Sequence, residues 1–269
     1  MHSVEMSRPR RGPFRNAAFR ILIEVVPSMM KSPQFGEMGR VMRGVLLTLS
    51  CLGISACGSS SPLAATAAPP SAQAAPTPRP RYAEADAAYY RARAGALATE
   101  AIDQIAGTDF WRFRRGRLYV PEASNIQELQ ERLADAAKSD SAAGIVDASA
   151  AVLAADQADI NAHSLRSEAL RKTDHLTEAD FHRTVAQALI DSIIHAGNGL
   201  NPDSAWTVYR VKEEYEVLKA KHARFVSQSR VNVGNRTLDL LDAELADGHQ
   251  LHVYFDVTEL LAEQARAPH

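Results

Sequence analysis

The spacing of apolar residues changes near residue 197, and this change limits the fold more than any other feature of the chain. In residues 82–196 apolar side chains recur every three to four positions, as on one face of a helix. Residues 197–263 instead hold short runs rich in β-branched and aromatic residues, separated by turn residues. The sequence therefore predicts an α+β fold, a helical hairpin array packed on a small antiparallel sheet.

The helical half has a regular spacing. Apolar faces predict five helices. One begins at a capping box formed by Ser124 and Gln127, and the others cover 83–105, 141–154, 159–170 and the segment from Thr177 to Gly197. Successive helix pairs start about 33 residues apart, close to the ~34 residues of tetratricopeptide pairs. Two pairs are fewer than the roughly three repeats that stand alone, so we expect the second half to share their core.

The second half shows strand patterns. Strands are predicted over 206–211, 224–231, 237–244 and 251–257, with a helix over 212–222 and hairpin turns at Gly234-Asn235 and Asp247-Gly248. The last two strands are expected to pair antiparallel. Trp206 is expected to lie buried against the helix that carries Leu189 and Ile193.

A short apolar run before Cys57 is typical of a bacterial lipoprotein signal. Arg40 and Arg43 precede an uncharged stretch that ends in small Ser55 and Ala56, directly before the cysteine. The stretch is about half the ~20 residues needed to span a bilayer. We therefore predict a signal peptide over 38–56, lipid attachment at Cys57, and an upstream extension over 1–37. Gly58 and Ser59 after the cysteine favour the outer membrane, facing the periplasm.

Residues 57–81 form a segment of a different kind, rich in Ala and Pro. Such a composition cannot bury a core and favours extended polyproline II, so we interpret it as a spacer between membrane and domain. Beyond Cys57 the chain has no cysteine, which excludes disulfides and thiolate sites. After residue 56 it has 22 basic and 29 acidic residues, a net charge of −7, which argues against nucleic acid as a partner.

The junction between the halves resembles a known family. The run from Ala196 to Val208, followed by Val211-Lys212-Glu213-Glu214-Tyr215, is similar to the signature of the domain-of-unknown-function family numbered 4919. Gln228, Asp239 and the segment 253–257 follow in matching order. The resemblance runs from about 109 to 257 and implies a tetratricopeptide-like helical part, a small sheet and an exported bacterial setting. It implies no activity. Asn198 stands where the pattern has Asp, and Ser204 where it has Thr.

The same junction holds the candidate binding residues. Backbone N–H groups of Gly197-Asn198-Gly199 could hold an anion, with carboxylates nearby as acid or base. The candidates are Gly197, Asn198, Gly199, Ser204, Glu213, Glu214 and Gln228. A purely structural interpretation competes with this one and is preferred. In it the glycines end a helix, Trp206 and Tyr215 belong to the core, and the two glutamates favour the helix dipole.

Histidines and arginines give no further site. Asp191 and His195 are four residues apart on one helix, and His249 and His252 lie at a strand start, but neither pair has a third ligand at usable spacing. No metal, cofactor or catalytic residue is predicted. The basic stretch 112–117 is interpreted as a solvated helix end, with anionic lipid headgroups near the tether as the alternative.

Two functions therefore remain open. One is a membrane-anchored, non-enzymatic module that binds an envelope protein or peptide, or maintains the envelope. The other is a cell-envelope hydrolase or glycan-binding enzyme that uses the 197–215 region. An enzyme predicts convergent polar side chains in a closed cleft around Glu213, whereas a module predicts an open groove.

Overall fold

The structure, a computed structural model, describes residues 78–266. The predicted upstream extension, signal peptide, lipid-accepting Cys57 and most of the spacer therefore lie outside the described residues. In the part that is described, none of the helices has both the length and the apolar character required to cross a bilayer.

The described chain begins with seven helices. They are α1 (Ala83–Leu97), α2 (Asp103–Ala106), α3 (Phe110–Leu118), α4 (Ile126–Lys138), α5 (Ala142–Ala155), α6 (Ile160–Lys172) and α7 (Leu176–Ile194). Three of them start at a side chain that accepts from the backbone N–H three residues later, namely Asp109, Ser141 and Asp159. Each helix from α4 to α7 packs on the next one in sequence.

The structure differs from the sequence predictions at four points in this half, and the first is the helix expected over 83–105, which is instead α1 and the short α2 with residues 98–102 between them. Asn125 precedes α4 without a side-chain cap, so Ser124 and Gln127 do not form the expected capping box. The last long helix begins at Leu176 and has ended before Gly197. Helix α3 was missed because its sequence, FWRFRRGRL, is highly charged, yet its buried residues include both Phe113 and Arg114.

The second half forms a four-stranded sheet with two helices. Its elements are a 3₁₀ turn (Pro202–Ser204), β1 (Trp206–Thr207), α8 (Val211–Ala220), β2 (Ala223–Val233), β3 (Arg236–Leu245), β4 (Gln250–Asp256) and α9 (Thr258–Gln264). The strand order is β1-β4-β3-β2. β3 pairs antiparallel with both β2 and β4, and Leu241 lies opposite Val253 as expected.

The first strand differs from its prediction. β1 contains only Trp206 and Thr207, and it pairs parallel with β4, so the sheet is mixed. Val208 and Tyr209 are both buried, which ends the alternation expected of a strand, and Val211 already begins α8. Residues 206–211 are therefore mostly a buried connection that carries the chain from the sheet into a helix.

One hydrophobic core joins the helices to the sheet. Leu189 and Ile193 of α7 share it with Trp206 and with Phe255 of β4, and Trp206 is only 3% exposed. The predicted burial of Trp206 is thus confirmed. A second cluster lies among α4, α5 and α6. The fold is α+β, as the change of apolar spacing predicted.

Candidate functional site

The loop from Gly197 to Ser204 is held by its own hydrogen bonds. The Gly199 N–H donates to the Ser204 carbonyl at 2.8 Å, and the Leu200 N–H donates to Asn198 Oδ1 at 2.9 Å. The Gly199 carbonyl in turn accepts from the Tyr254 N–H of β4 at 2.7 Å. The less favoured hypothesis, an anion held by free N–H groups, therefore loses the Gly199 N–H, because that donor is already used.

Asn198 and Ser204, the two departures from the family pattern, contact each other. Ser204 Oγ donates to Asn198 Oδ1 at 2.6 Å. The amide oxygen accepts here as a carboxylate oxygen would, and a serine hydroxyl donates as a threonine hydroxyl would. This contact closes the loop, so both residues have a structural role.

The two glycines of the loop make room for neighbouring atoms. Gly199 has a φ of +70°, and a Cβ there would lie 2.6 Å from Cε3 of Trp206. A Cβ on Gly197 would lie 2.3 Å from the Ser204 carbonyl oxygen. The Trp206 Nε1–H donates to the Gly197 carbonyl at 3.0 Å. Both glycines therefore serve the packing of Trp206 and the closure of the loop.

Glu213 is part of a buried ion pair between α8 and α3. Arg114 Nε and Nη2 donate to its two carboxylate oxygens at 3.0 and 2.8 Å. The Tyr209 N–H also donates to Glu213, and Arg114 donates to the Thr207 carbonyl. Burial opposes ionisation of Glu213, but the facing Arg114 outweighs it and lowers the pKa of the carboxyl. Glu213 is 3% exposed and paired with Arg114, so it does not line the kind of cleft that the enzyme hypothesis requires.

Glu214 turns towards the sheet and meets a second carboxyl group. Asp239 of β3 is 1% exposed and Glu214 is fully buried. Gln228 Nε2 donates to both, at 3.3 Å to Glu214 and 2.8 Å to Asp239. Arg230 donates to the two oxygens of Asp239 at 2.8 and 3.1 Å. The structure therefore brings two of the predicted candidates together and adds two residues. We call Glu214, Gln228, Arg230 and Asp239 the carboxyl cluster.

The proton on Glu214 follows from this geometry. Burial, and next the charge of Asp239, raise the pKa of Glu214 to about 8 from an ordinary 4.5. Its Oε1 atom is buried without a hydrogen-bond donor. Because a protonated carboxyl group is itself a donor, Glu214 can share its proton with the carboxylate of Asp239. At neutral pH the pair thus carries one negative charge, which Arg230 neutralises.

The carboxyl cluster continues a row of side chains across the sheet. Trp206 lies opposite Phe255, Phe255 opposite Asp239, and Asp239 opposite Arg230. Directly opposed residues share one face of a sheet. The row therefore leads from the loop that holds Gly199, through the core, to the outer strand β2. The row thus connects the candidates of the loop with Glu214 and Gln228 through the core. It does not pass through a cleft at Glu213.

The outer strand β2 is the most exposed strand of the sheet. It is 11 residues long, and eight of them are exposed, including Gln228 and Arg230 of the carboxyl cluster. Val226 is 47% and Val233 is 39% exposed. β2 ends the strand order, so no strand in residues 78–266 pairs with its outer edge.

A buried histidine pair lies between α6 and α7. Arg166 Nε donates to His182 Nε2 at 2.7 Å, which leaves the His182 proton on Nδ1, directed at His163 Nδ1 2.9 Å away. His163 Nε2 then donates to the Gln157 carbonyl at 3.1 Å. Burial lowers the pKa of both imidazoles to about 3, so both are neutral. Every ring nitrogen is used, and we interpret the pair as a structural link.

The other histidines stand apart. His195 is exposed, and Asp191 accepts from Gln187. His249 pairs with Asp247, and His252 with Asp242, all at the surface. Residues 78–266 contain no group of three or more His, Cys, Asp or Glu side chains arranged to hold a metal ion.

The interpretation of residues 112–117 as a solvated helix end is wrong. These residues lie in α3, where Arg114 pairs with Glu213 and Arg117 lies 3.2 Å from Asp156, both arginines being buried. Arg112 and Arg115 stay near the surface and pair with Asp86 of α1. The arginines alternate between core and surface as the helix turns.

Sequence reasoning assigned no part in the site to several buried polar residues. Asp239 carried a usable signal, because it shares its strand face with Leu241 and Ala243 and is thus a charged residue at a core position. His163 and His182 likewise lie on apolar helix faces. For Arg114 the sequence carried no such signal, since it stands among other arginines.

The family model of a domain of unknown function, DUF4919, matches residues 116–266, which is more than half of the chain. No curated protein and no solved structure matches it. The matched residues contain the carboxyl cluster, the Gly197–Ser204 loop and the whole sheet. The chain therefore belongs to the DUF4919 family.

Proposed function

We propose that this protein is a lipid-anchored, non-enzymatic interaction module of the bacterial cell envelope. Cys57 carries the lipid, the Pro-rich residues after it form the spacer, and the domain stands at the outer membrane facing the periplasm. The ordered series of positive residues, apolar run, small residues and cysteine over 40–57 supports the anchor.

The single observation that carries the interaction is the open edge of β2. An edge strand offers a row of backbone donors and acceptors, and an extended segment of another chain can satisfy them by adding a strand. Native edges are commonly short or covered, but β2 is 11 residues long and largely exposed. The partner that fits is an extended peptide segment of an envelope protein.

The carboxyl cluster attaches β2 to the neighbouring strand β3. Gln228 and Arg230 are fixed by Asp239, and Tyr215 of α8 packs its ring 5.4 Å from that of Phe225. The register of β2 on β3 shifts between Phe225 and Ser227, and these contacts hold the strand on both sides of that point while its outer edge stays open. A rigid edge binds a peptide with less loss of conformational entropy than a mobile one.

The helices α4 to α7 form the second part of the module. We assign them as two tetratricopeptide-like pairs, since α4 starts at Ile126 and α6 at Ile160, 34 residues later. Successive packing of the four helices supports this assignment. In this arrangement the pairs serve as a scaffold for the sheet, because α6 and α7 both contact α8.

The enzyme alternative has less support. A protonated carboxyl group beside a carboxylate is a pattern used in acid–base catalysis. Here, however, Glu214 and Asp239 are almost completely buried and directly bonded to Gln228, so a substrate has no access to either oxygen pair.

Site-specific photo-crosslinking in the native envelope tests the interaction. A photoreactive amino acid at Val226 should give a discrete crosslinked product. The matched control is the same residue at Leu176, which is 52% exposed but lies on α7. Equal products at both positions, or none at Val226 in cells that carry the protein, would contradict strand addition at β2.

Metabolic labelling with a fatty acid tests the anchor. Wild-type protein should take up the label, and Cys57→Ser should lose it. Cys51→Ser is the control, because Cys51 is the other cysteine of the chain and should be removed with the signal. A labelled Cys57→Ser protein would refute the anchor.

A further inference from the structure

Aromatic and arginine side chains form a patch on α1 and α3. The guanidinium of Arg115 lies between two rings, 4.1 Å from the centroid of Tyr82 and 4.0 Å from that of Trp111. Tyr82 is 40% and Trp111 is 39% exposed. We call Tyr82, Tyr89, Trp111, Arg112 and Arg115 the aromatic–arginine patch.

Asp86 of α1 holds both arginines of the patch in place. Its two oxygens accept from Arg112 Nε at 2.7 Å and from Arg115 Nε at 2.6 Å, and Asp86 is itself 2% exposed. Arg112 also stacks 4.5 Å above the ring of Tyr89. Two cations on one anion leave a net positive charge, held in a fixed place among rings.

The patch lies at the basic end of the chain. Residues 78–118 hold eight Lys/Arg against five Asp/Glu, whereas residues 119–269 hold fourteen against twenty-four. An anionic surface would attract the first region and repel the second. Arg114 and Arg117 are buried in ion pairs, so the exposed arginines of the first region, among them Arg81 and Arg91, are the groups that an anionic surface would attract.

A cleft beside α1 adds two more arginines. It has a volume of about 380 Å³, and Arg79 and Arg91 line it together with Glu84 and Tyr119. Arg79 pairs with Glu263, and Arg91 is exposed. The cleft therefore adds two cationic groups at the same end of the chain, Arg91 on α1 and Arg79 before that helix.

We propose that the aromatic–arginine patch rests on the anionic surface of the bilayer that holds Cys57, an inference that rests on the proposed lipid anchor. Tyr and Trp prefer the interface between headgroups and acyl chains, and basic side chains bind anionic headgroups. Only 20 residues separate Cys57 from Pro78, a reach of about 60 Å at ~3.1 Å per residue. The tether thus keeps this end of the domain within reach of the membrane.

The two tryptophans of the chain allow a direct test. Trp206 is buried, so emission that changes on contact with lipid comes from Trp111. The full-length lipidated protein is reconstituted into phosphatidylglycerol-containing vesicles that carry brominated acyl chains, and into neutral phosphatidylcholine vesicles with the same bromine content. We expect brominated lipid to quench the tryptophan fluorescence of the wild-type protein strongly in anionic vesicles and less in neutral ones. The fluorescence of the Trp111→Tyr variant should hardly be quenched.

Charge variants test the anionic preference. Arg81→Gln combined with Arg91→Gln should reduce quenching in the anionic vesicles, because both arginines are exposed on the basic region. Arg132→Gln, which removes an exposed arginine from α4, is the matched control and should leave the quenching unchanged. High salt should act as the double variant does.

The outcomes separate the inference from the anchor. Protein that fails to float with vesicles would refute the proposed anchor. Protein that floats while Trp111 stays unquenched by brominated lipid and open to aqueous iodide would overturn the patch. Shielding of Trp111 from iodide without quenching by brominated lipid would place a second copy of the chain on this face and would also overturn it.

Discussion

Glu213 and Glu214 are adjacent in the first turn of α8, but they face two different regions of the molecule. Glu213 faces the helices, where Arg114 pairs with it and lowers its pKa. Glu214 faces the sheet, where burial and Asp239 raise its pKa to about 8. The same residue type is thus a charged link on one side and a neutral acid on the other. The difference shows that the partner of a buried carboxyl group decides its charge.

Breaking the ion pair between Arg114 and Glu213 should cause the largest loss of stability. Arg114→Met removes the cation and leaves Glu213 buried and uncompensated. We expect a loss of about 3 to 5 kcal/mol in the free energy of unfolding, measured by urea denaturation. Arg132→Met, at an exposed position of α4, should change stability by no more than about 0.5 kcal/mol. Equal effects of the two variants would contradict the ion pair.

The sheet side should show its effect in the pH dependence. Between pH 4.5 and about 8 the unfolded chain loses the Glu214 proton while the folded chain keeps it. The free energy of unfolding should therefore fall as pH rises through this window, by up to about 4 kcal/mol, and become independent of this group above it.

The variant Glu214→Gln isolates this contribution. Its neutral amide cannot ionise, so its stability relative to wild type should rise steadily from pH 4.5 to 8. Urea denaturation at several pH values measures the difference, and the exposed histidines cancel because both proteins contain them. A difference that does not change with pH would show that Glu214 titrates normally.

A smaller loss of stability is expected at Gly199, in the loop from which the row of side chains across the sheet begins. In Gly199→Ala the methyl group would meet the Trp206 ring, and we expect a loss of about 1 to 3 kcal/mol. Gly248→Ala is a close control, because Gly248 also has a positive φ but open space around its Cβ position. If the two variants lost equal stability, backbone strain alone would account for Gly199.

The smallest change in stability is expected on the outer face of the sheet. Val226→Lys replaces an exposed side chain and should alter the free energy of unfolding by less than about 0.5 kcal/mol. The same change should weaken the crosslink formed by a photoreactive residue at Ser229, because a charged side chain disfavours strand addition. Leu176→Lys should leave that crosslink intact. An unchanged crosslink in Val226→Lys would contradict binding at the edge.

Local predictions were most accurate where the local pattern was strong. The hairpin turns at Gly234 and Gly248, the antiparallel pair of β3 and β4, and the ranges of α5 and α6 follow from short-range preferences. Predictions were wrong where a tertiary contact outweighed the local preference. Residues 208–210 leave the strand pattern because Val208 and Tyr209 are buried between helix and sheet.

The candidate site divides in the same way. Gly197, Gly199 and Trp206 were found by their residue types, and the burial of Trp206 was predicted. That Gly199 gives space to the Trp206 ring, and that its N–H is already used, could not be known before the loop was closed. Glu214 and Gln228 were both named, but their meeting at Asp239 depends on the register of β2 on β3.

The sequence by itself determined the α+β class, the places of most helices and of the three long strands, and the family, because apolar spacing and turn residues act over short distances along the chain. Only the tertiary structure decided the charge states of Glu213 and Glu214, the neutral state of His163 and His182, and the burial of Arg114 within a basic stretch. A pKa depends on which groups lie within a few ångströms and on how much water remains. Those groups come from residues that are as much as 99 positions apart in the chain, as Arg114 and Glu213 are.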